Sequence, residues 1–124
     1  MEPLIDGVYQ IGGGSGGDAY VIDGDEGVPL VDTLVPGRGG AIAENLREIR
    51  RTLDDVRAIV LTHSHMDHTG SAAAVKAASR AAVYASEADS PAIRGAVKPP
   101  HPPAPWYYRP MFWLTVFFPD APPV

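Results

Sequence analysis

The chain reads as a layered α/β domain, and three features of the sequence carry that reading. Strand-patterned and helix-patterned runs follow one another as strand, strand, strand, helix, strand, loop, helix, strand. Ile42, Leu46, Ile49 and Leu53 fall at spacings of four, three and four, a single apolar stripe along a helix over residues 41–53. The apolar block Ala58-Ile59-Val60-Leu61 reads as a buried strand, and the alanine-rich residues 70–79 beyond it read as a helix.

The elements can be justified in order. Val8-Tyr9-Gln10-Ile11 alternates apolar and polar and predicts a first strand. Glycines dominate residues 12–17. A dinucleotide-binding fingerprint needs a helix directly after its glycines. Here Ala19-Tyr20-Val21-Ile22 reads as a second strand, so a hairpin connection is favoured over a phosphate loop. Asp23-Gly24-Asp25-Glu26-Gly27 has the composition of a tight turn, and Val28 to Val31 forms a third strand ending at Asp32. In the helix over 41–53, Glu44, Arg47, Glu48, Arg50 and Arg51 lie off the apolar stripe, and the mixture of signs marks a solvated face. Asp54-Asp55 end the helix, Val56 packs inward, and the strand 58–61 leads into a histidine-rich loop. Ala82-Val83-Tyr84-Ala85 closes the series as a fifth strand.

Bulk composition narrows the function classes. A chain of 124 residues holds one domain at most. Its net charge of −5, without a basic run, argues against nucleic acid as a partner. The absence of cysteine excludes disulfides and thiolate ligands, so a metal site must be built from histidine and carboxylate. Met-Glu-Pro-Leu-Ile-Asp at the N-terminus lacks the pattern of a signal peptide. The apolar run Met111 to Phe118 is interrupted by Thr115 and is too short to span a bilayer. A cytoplasmic protein with no membrane partner is the expectation.

Chemistry concentrates in Leu61-Thr62-His63-Ser64-His65-Met66-Asp67-His68-Thr69-Gly70. In an extended segment His63, His65 and Asp67 point to one side, because side chains alternate with period two. A turn at Asp67-His68 swings His68 to the same cavity. Imidazole and carboxylate are ligands for zinc, with iron and manganese as alternatives. A solvated polar loop is the bland alternative, and clustering of four such groups within six residues favours a metal site. The loop follows a strand at its carboxyl end, where α/β proteins place their sites.

His63-Ser64-His65-Met66-Asp67-His68 resembles the HxHxDH motif of the metallo-β-lactamase-fold hydrolases. Thr62, Thr69 and Gly70 fit the motif's usual surroundings. Leu30-Val31-Asp32-Thr33 looks like the family's first motif, and residues 83–89 look like the strand and turn after the motif helix. The resemblance implies the N-terminal half of an αββα sandwich, a mixed and antiparallel sheet with helices on one face. It implies a hydrolase in which two metals, zinc by expectation, activate a hydroxide. The target would be an ester, thioester, lactone, amide or phosphodiester of a small molecule. His63 and His65 would serve one metal and Asp67 and His68 the second, with Asp67 also catalytic in orienting the hydroxide. Asp32 and Thr62 would support the ligands from behind. Thr62 and Thr69 are expected to be loop hydrogen-bonders rather than catalysts.

Composition shifts after Asp89, so residues 1–90 are expected to be the αβ half-domain and 91–124 the start of an insertion or of a second half. Pro99 to Pro105 is proline-rich, and most of the chain's aromatics follow between Trp106 and Phe118. These aromatics read as packing groups rather than recognition groups. His101 lies between prolines, away from any ligand motif, and is not expected to bind metal. Each metal therefore lacks a third protein ligand, and by the resemblance a missing C-terminal half or a partner chain supplies it. The alternative is a non-enzymatic half-domain, either a decayed gene product or a module that binds metal or pairs with a partner.

Overall fold

A computed structural model describes residues 1–12, 16–97 and 123–124. Five strands form one sheet in sequence order: β1 (Val8–Gly12), β2 (Asp18–Ile22), β3 (Val28–Val31), β4 (Val56–Val60) and β5 (Ala82–Tyr84). The two hairpins β1–β2 and β2–β3 are antiparallel, whereas β3–β4 and β4–β5 are parallel. Parallel neighbours need crossover connections. Helix α1 (Gly39–Glu48) makes the first, and α2 (Met66–Thr69) with α3 (Ala72–Ser79) makes the second. A short α4 (Ser90–Ile93) follows β5. This is the mixed α/β sheet that the sequence implied.

The core lies on one face of the sheet. Ala19, Val21, Val28, Leu30 and Ile59 point from the strands into a cluster with Ile42 and Leu46 of α1 and Val75 of α3. The other face is only partly buried. Its side chains pair across the strands as Tyr20 with Val31, Val31 with Val60, and Val60 with Tyr84. Ile22, Val60 and Tyr84 are exposed there.

Several boundaries differ from expectation, each for a local reason. The helix expected over 41–53 stops at Glu48, because Arg50 takes a left-handed φ of 60°. The Arg51 amide then donates back to the Leu46 carbonyl at 2.9 Å, a Schellman-type ending achieved without glycine. Leu53 instead starts a 3₁₀ turn, Leu53–Asp55, where the Asp55 carboxylate accepts from the Thr52 amide at 2.8 Å. Strand β4 begins at Val56 and ends at Val60, shifted back from 58–61. The helix expected over 70–79 is α3, which starts at Ala72, and α2 (Met66–Thr69) is an additional short helix before it. Beyond β5, α4 carries Ile93 into the core. His101 and the proline-rich and aromatic residues 99–118 lie outside the described residues.

Candidate metal centre

The histidine-rich segment leaves the carboxyl end of β4 and is gripped from both sides. Residues 63–68 are not extended throughout: His65 is extended at φ −69°, ψ 148°, and Met66 opens α2. Asp67 and His68 therefore sit side by side on a helical turn, rather than on the alternating positions of a strand. The His68 and Thr69 amides both donate to the His65 carbonyl at 3.0 Å.

Asp32 is the buried anchor. Its backbone departs from β3 with a left-handed φ of 59°, a conformation that Asp tolerates better than most residues. Its Oδ1 accepts the Thr62 amide at 2.8 Å. Its Oδ2 accepts the Thr62 hydroxyl at 2.7 Å and lies 2.8 Å from His68 Nδ1. A carboxylate only accepts, so His68 carries a proton on Nδ1, and in the neutral ring the lone pair is on Nε2. The Thr62 oxygen also lies 3.0 Å from His63 Nδ1. Its single proton is committed to Asp32, so it accepts from His63 Nδ1–H, and Nε2 of His63 is likewise left with its lone pair. One carboxylate thus sets the tautomer of His68 directly and that of His63 through Thr62.

The three imidazoles are neighbours. The His63 ring centroid is 3.9 Å from that of His68 and 4.8 Å from that of His65. His68 Nε2 is 3.4 Å from Asp67 Oδ2, whose side chain is 47% exposed. Burial of the His63 ring holds its pKa below the usual imidazole range, and the adjacent His68 and His65 push it the same way. The neutral, electron-donating form is favoured. In kind, three imidazoles and a carboxylate suit a borderline cation such as zinc. In position, no three or more His, Asp or Glu side chains among the described residues are gathered as a metal-holding group.

The segment has further supports, and of these Asp89 and Ser71 were given no such role by sequence reasoning. Asp89, just after β5, accepts the Ser64 amide at 3.1 Å and the Ser86 hydroxyl at 2.7 Å. The Ser86 hydroxyl, then Ser64, keep its carboxyl below the ordinary carboxylate range. Asp89 closes the segment 83–89, and its spacing of three from Ser86 was the available signal. Thr33 donates its amide and its hydroxyl to the His68 carbonyl, at 2.7 and 2.8 Å. Ser71 donates to the Val35 carbonyl at 2.8 Å and accepts the Arg38 amide at 2.9 Å, tying the start of α3 to the segment after β3. A side chain at Gly70 would strike the Val35–Pro36 backbone, so only glycine fits this crossing. Thr69 donates to the His65 carbonyl at 3.2 Å.

The described residues form a mixed α/β layer with helices on one face of the sheet and with histidines and an aspartate at the carboxyl end of a parallel strand. Residues 12–120 match the family profile of the Metallo-beta-lactamase superfamily, and the chain belongs to that superfamily. Among solved structures it is similar to BJP-1, a subclass B3 metallo-beta-lactamase of Bradyrhizobium japonicum. That match has 36% identity and a TM-score of 0.70, over 76% of this chain and 35% of that one. The Rm3 metallo-beta-lactamase aligns over 98% of this chain and 41% of its own, at 25% identity and a TM-score of 0.75. A type A flavoprotein of Rhodobacter capsulatus is 32% identical over 95 residues, 76% of this chain and 22% of its own. An (R)-specific secondary-alkylsulfatase of a Pseudomonas species is 35% identical over 65 residues, 52% of this chain and 10% of its own. The chain thus spans 35 to 41% of these two lactamases and 10 to 22% of these two curated relatives. Among the described residues, no helix is long and apolar enough to cross a membrane.

Proposed function

We propose that this chain carries the metal-binding motif of a hydrolase acting on an ester, thioester, lactone, amide or phosphodiester of a small molecule. His63, His65, Asp67 and His68 would hold the metal, expected to be a zinc pair, with iron or manganese as alternatives. The observation that carries the reading is the Asp32–Thr62 pair, which leaves Nε2 of both His63 and His68 as lone-pair nitrogens. When bound, such a cation supplies Lewis acidity, polarising a carbonyl or phosphoryl oxygen and acidifying water. Asp67, half-exposed beside His68, is the carboxylate suited to accept a hydrogen bond from the attacking water and orient it.

The remaining donors come, in this proposal, from a second αβ layer that covers the apolar face of Ile22, Val60 and Tyr84. Further chain or a partner could supply that layer. The relatives' greater length supports this reading. A second reading, a half-domain without catalytic activity, is favoured by the lack of a gathered three-donor group among the described residues.

Zinc titration of the 124-residue chain, followed at the histidine ring nitrogens by NMR, tests the proposal. The expected result is weak binding that perturbs His63, His65 and His68 and is lost on dialysis against a chelator. Failure of zinc to perturb any of the three rings would overturn the metal reading. Hydrolysis is not expected from the isolated chain. A turnover abolished by Asp67→Ala would show that the chain alone assembles a working catalyst and would exclude the half-domain reading.

A further inference from the structure

The glycine-rich connection between β1 and β2 bears on Asp67. Gly17 has φ +80°, and a Cβ built on it would collide with the Asp67 carbonyl oxygen, with Asp67 C at 3.1 Å and Asp67 Cβ at 3.3 Å. Real Cβ atoms do not tolerate the first of these approaches, and the obstacle is backbone, not the mobile end of a side chain. Gly17 has little room to retreat. On one side Asp18 pairs with Gly12 in the β1–β2 ladder and accepts from the Gln10 side chain at 2.8 Å. On the other side the Gly16 carbonyl accepts the Val35 amide at 3.1 Å. Asp67 is equally confined, since the next carbonyl, that of His68, is held by Thr33.

We propose that Gly17 is a positioning residue for Asp67: its bare Cα forms the wall against which the first turn of α2 is set. The proposal rests on the metal reading for its functional consequence, but not for its geometry. A side chain at Gly17 pushes Asp67 and His68 outward as a unit, while His63, held by Thr62, keeps its place. The loss falls on the Asp67 and His68 side of the site.

The test compares Gly17→Ala with Gly37→Ala. Gly37 has φ +83°, so alanine there carries the same left-handed strain, but nothing lies within 4 Å of its Cβ. The first readout is amide exchange in the metal-free chain at His68 and Thr69. Gly17→Ala is expected to speed their exchange about tenfold beyond Gly37→Ala, the effect of about 1.4 kcal/mol of local stability. The second is zinc titration: Gly17→Ala is expected to weaken the response at Asp67 and His68 severalfold and to leave that at His63 unchanged.

Equal exchange in the two variants overturns the positioning role. Faster exchange with an unchanged zinc response at Asp67 overturns its functional consequence. If Gly17→Ala fails to fold, the unmodified chain decides: a nuclear Overhauser contact between Gly17 Hα and Asp67 Hβ supports the proposal and its absence refutes it. Should zinc bind nowhere, the metal reading fails, while the exchange comparison still decides the role of Gly17.

Discussion

Replacing Asp32 by Asn tests the site where fold and chemistry meet. The carboxylate is 4% exposed and accepts from three donors: the Thr62 amide, the Thr62 hydroxyl and His68 Nδ1. Asn keeps the shape and also tolerates the left-handed backbone at φ 59°, so backbone strain does not contribute. An amide, however, has one accepting oxygen. If that oxygen replaces Oδ2, the NH₂ group faces the Thr62 amide; if it replaces Oδ1, the NH₂ faces the hydroxyl and the imidazole. Either way a buried donor meets a donor, at a cost of about 1–3 kcal/mol. Taking about 2 kcal/mol and a urea dependence of about 2 kcal/mol per molar, the unfolding midpoint should fall by about 1 M. Ring-nitrogen NMR of the metal-free chain should show His68 losing its preference for a proton on Nδ1. A midpoint within about 0.25 M of the parent, with the His68 tautomer unchanged, would refute the anchoring role of Asp32.

Two further predictions concern the scaffold. Ile59→Ala should cost about 2–5 kcal/mol, because its side chain is fully buried, whereas Val60→Ala, one residue on and 39% exposed, should cost under about 1 kcal/mol. Equal costs in urea unfolding would mean that the sheet does not present these faces as described. Asp55 is held below the ordinary carboxylate range chiefly by the Thr52 amide. A depressed carboxylate contributes stability above its unfolded value of about 3.9 and loses it as pH falls through the lower folded value. Asp55→Asn should therefore be less stable at neutral pH and decline less steeply below about pH 4, as urea midpoints against pH would record.

Much of this was legible because short-range pattern and long-range packing agree. The alternation in residues 8–11 and 19–22 marks the paired strands β1 and β2, and the Asp23–Gly27 turn marks the hairpin from β2 to β3. The stripe of Ile42, Leu46 and Ile49 placed α1 on the sheet, but its end was hidden. Helix termination normally announces itself with glycine, and here Arg50 takes the left-handed position that a Schellman ending requires. The sequence spacing also misjudged the geometry of the motif. Period-two reasoning assumed a strand through Asp67, while hydrogen bonds from His68 and Thr69 to the His65 carbonyl wind that stretch into a turn.

The site's supports were the least legible part, and the reason is physical. Thr33, Asp89 and Gly17 meet the motif across intervals of 25 to 50 residues, and Asp32 across 30 and 36; no local pattern encodes such a meeting, and only the family resemblance pointed to Asp32. What the sequence does carry is residue type: an aspartate after β3, a glycine before β2 and another between α2 and α3, where a carboxylate can leave a sheet and a backbone can approach closely. The topology then explains why they converge. Parallel pairing of β3 with β4 brings the ends of both strands to the same edge of the sheet, so that the Asp32 amide donates to the Val60 carbonyl at 2.9 Å. The carboxylate of Asp32 is thereby delivered beside Thr62, directly before His63. The histidine-rich segment is in this way held by its neighbours: a buried carboxylate orients the His68 and Thr62 side chains, and in our proposal a glycine wall sets where Asp67 stands.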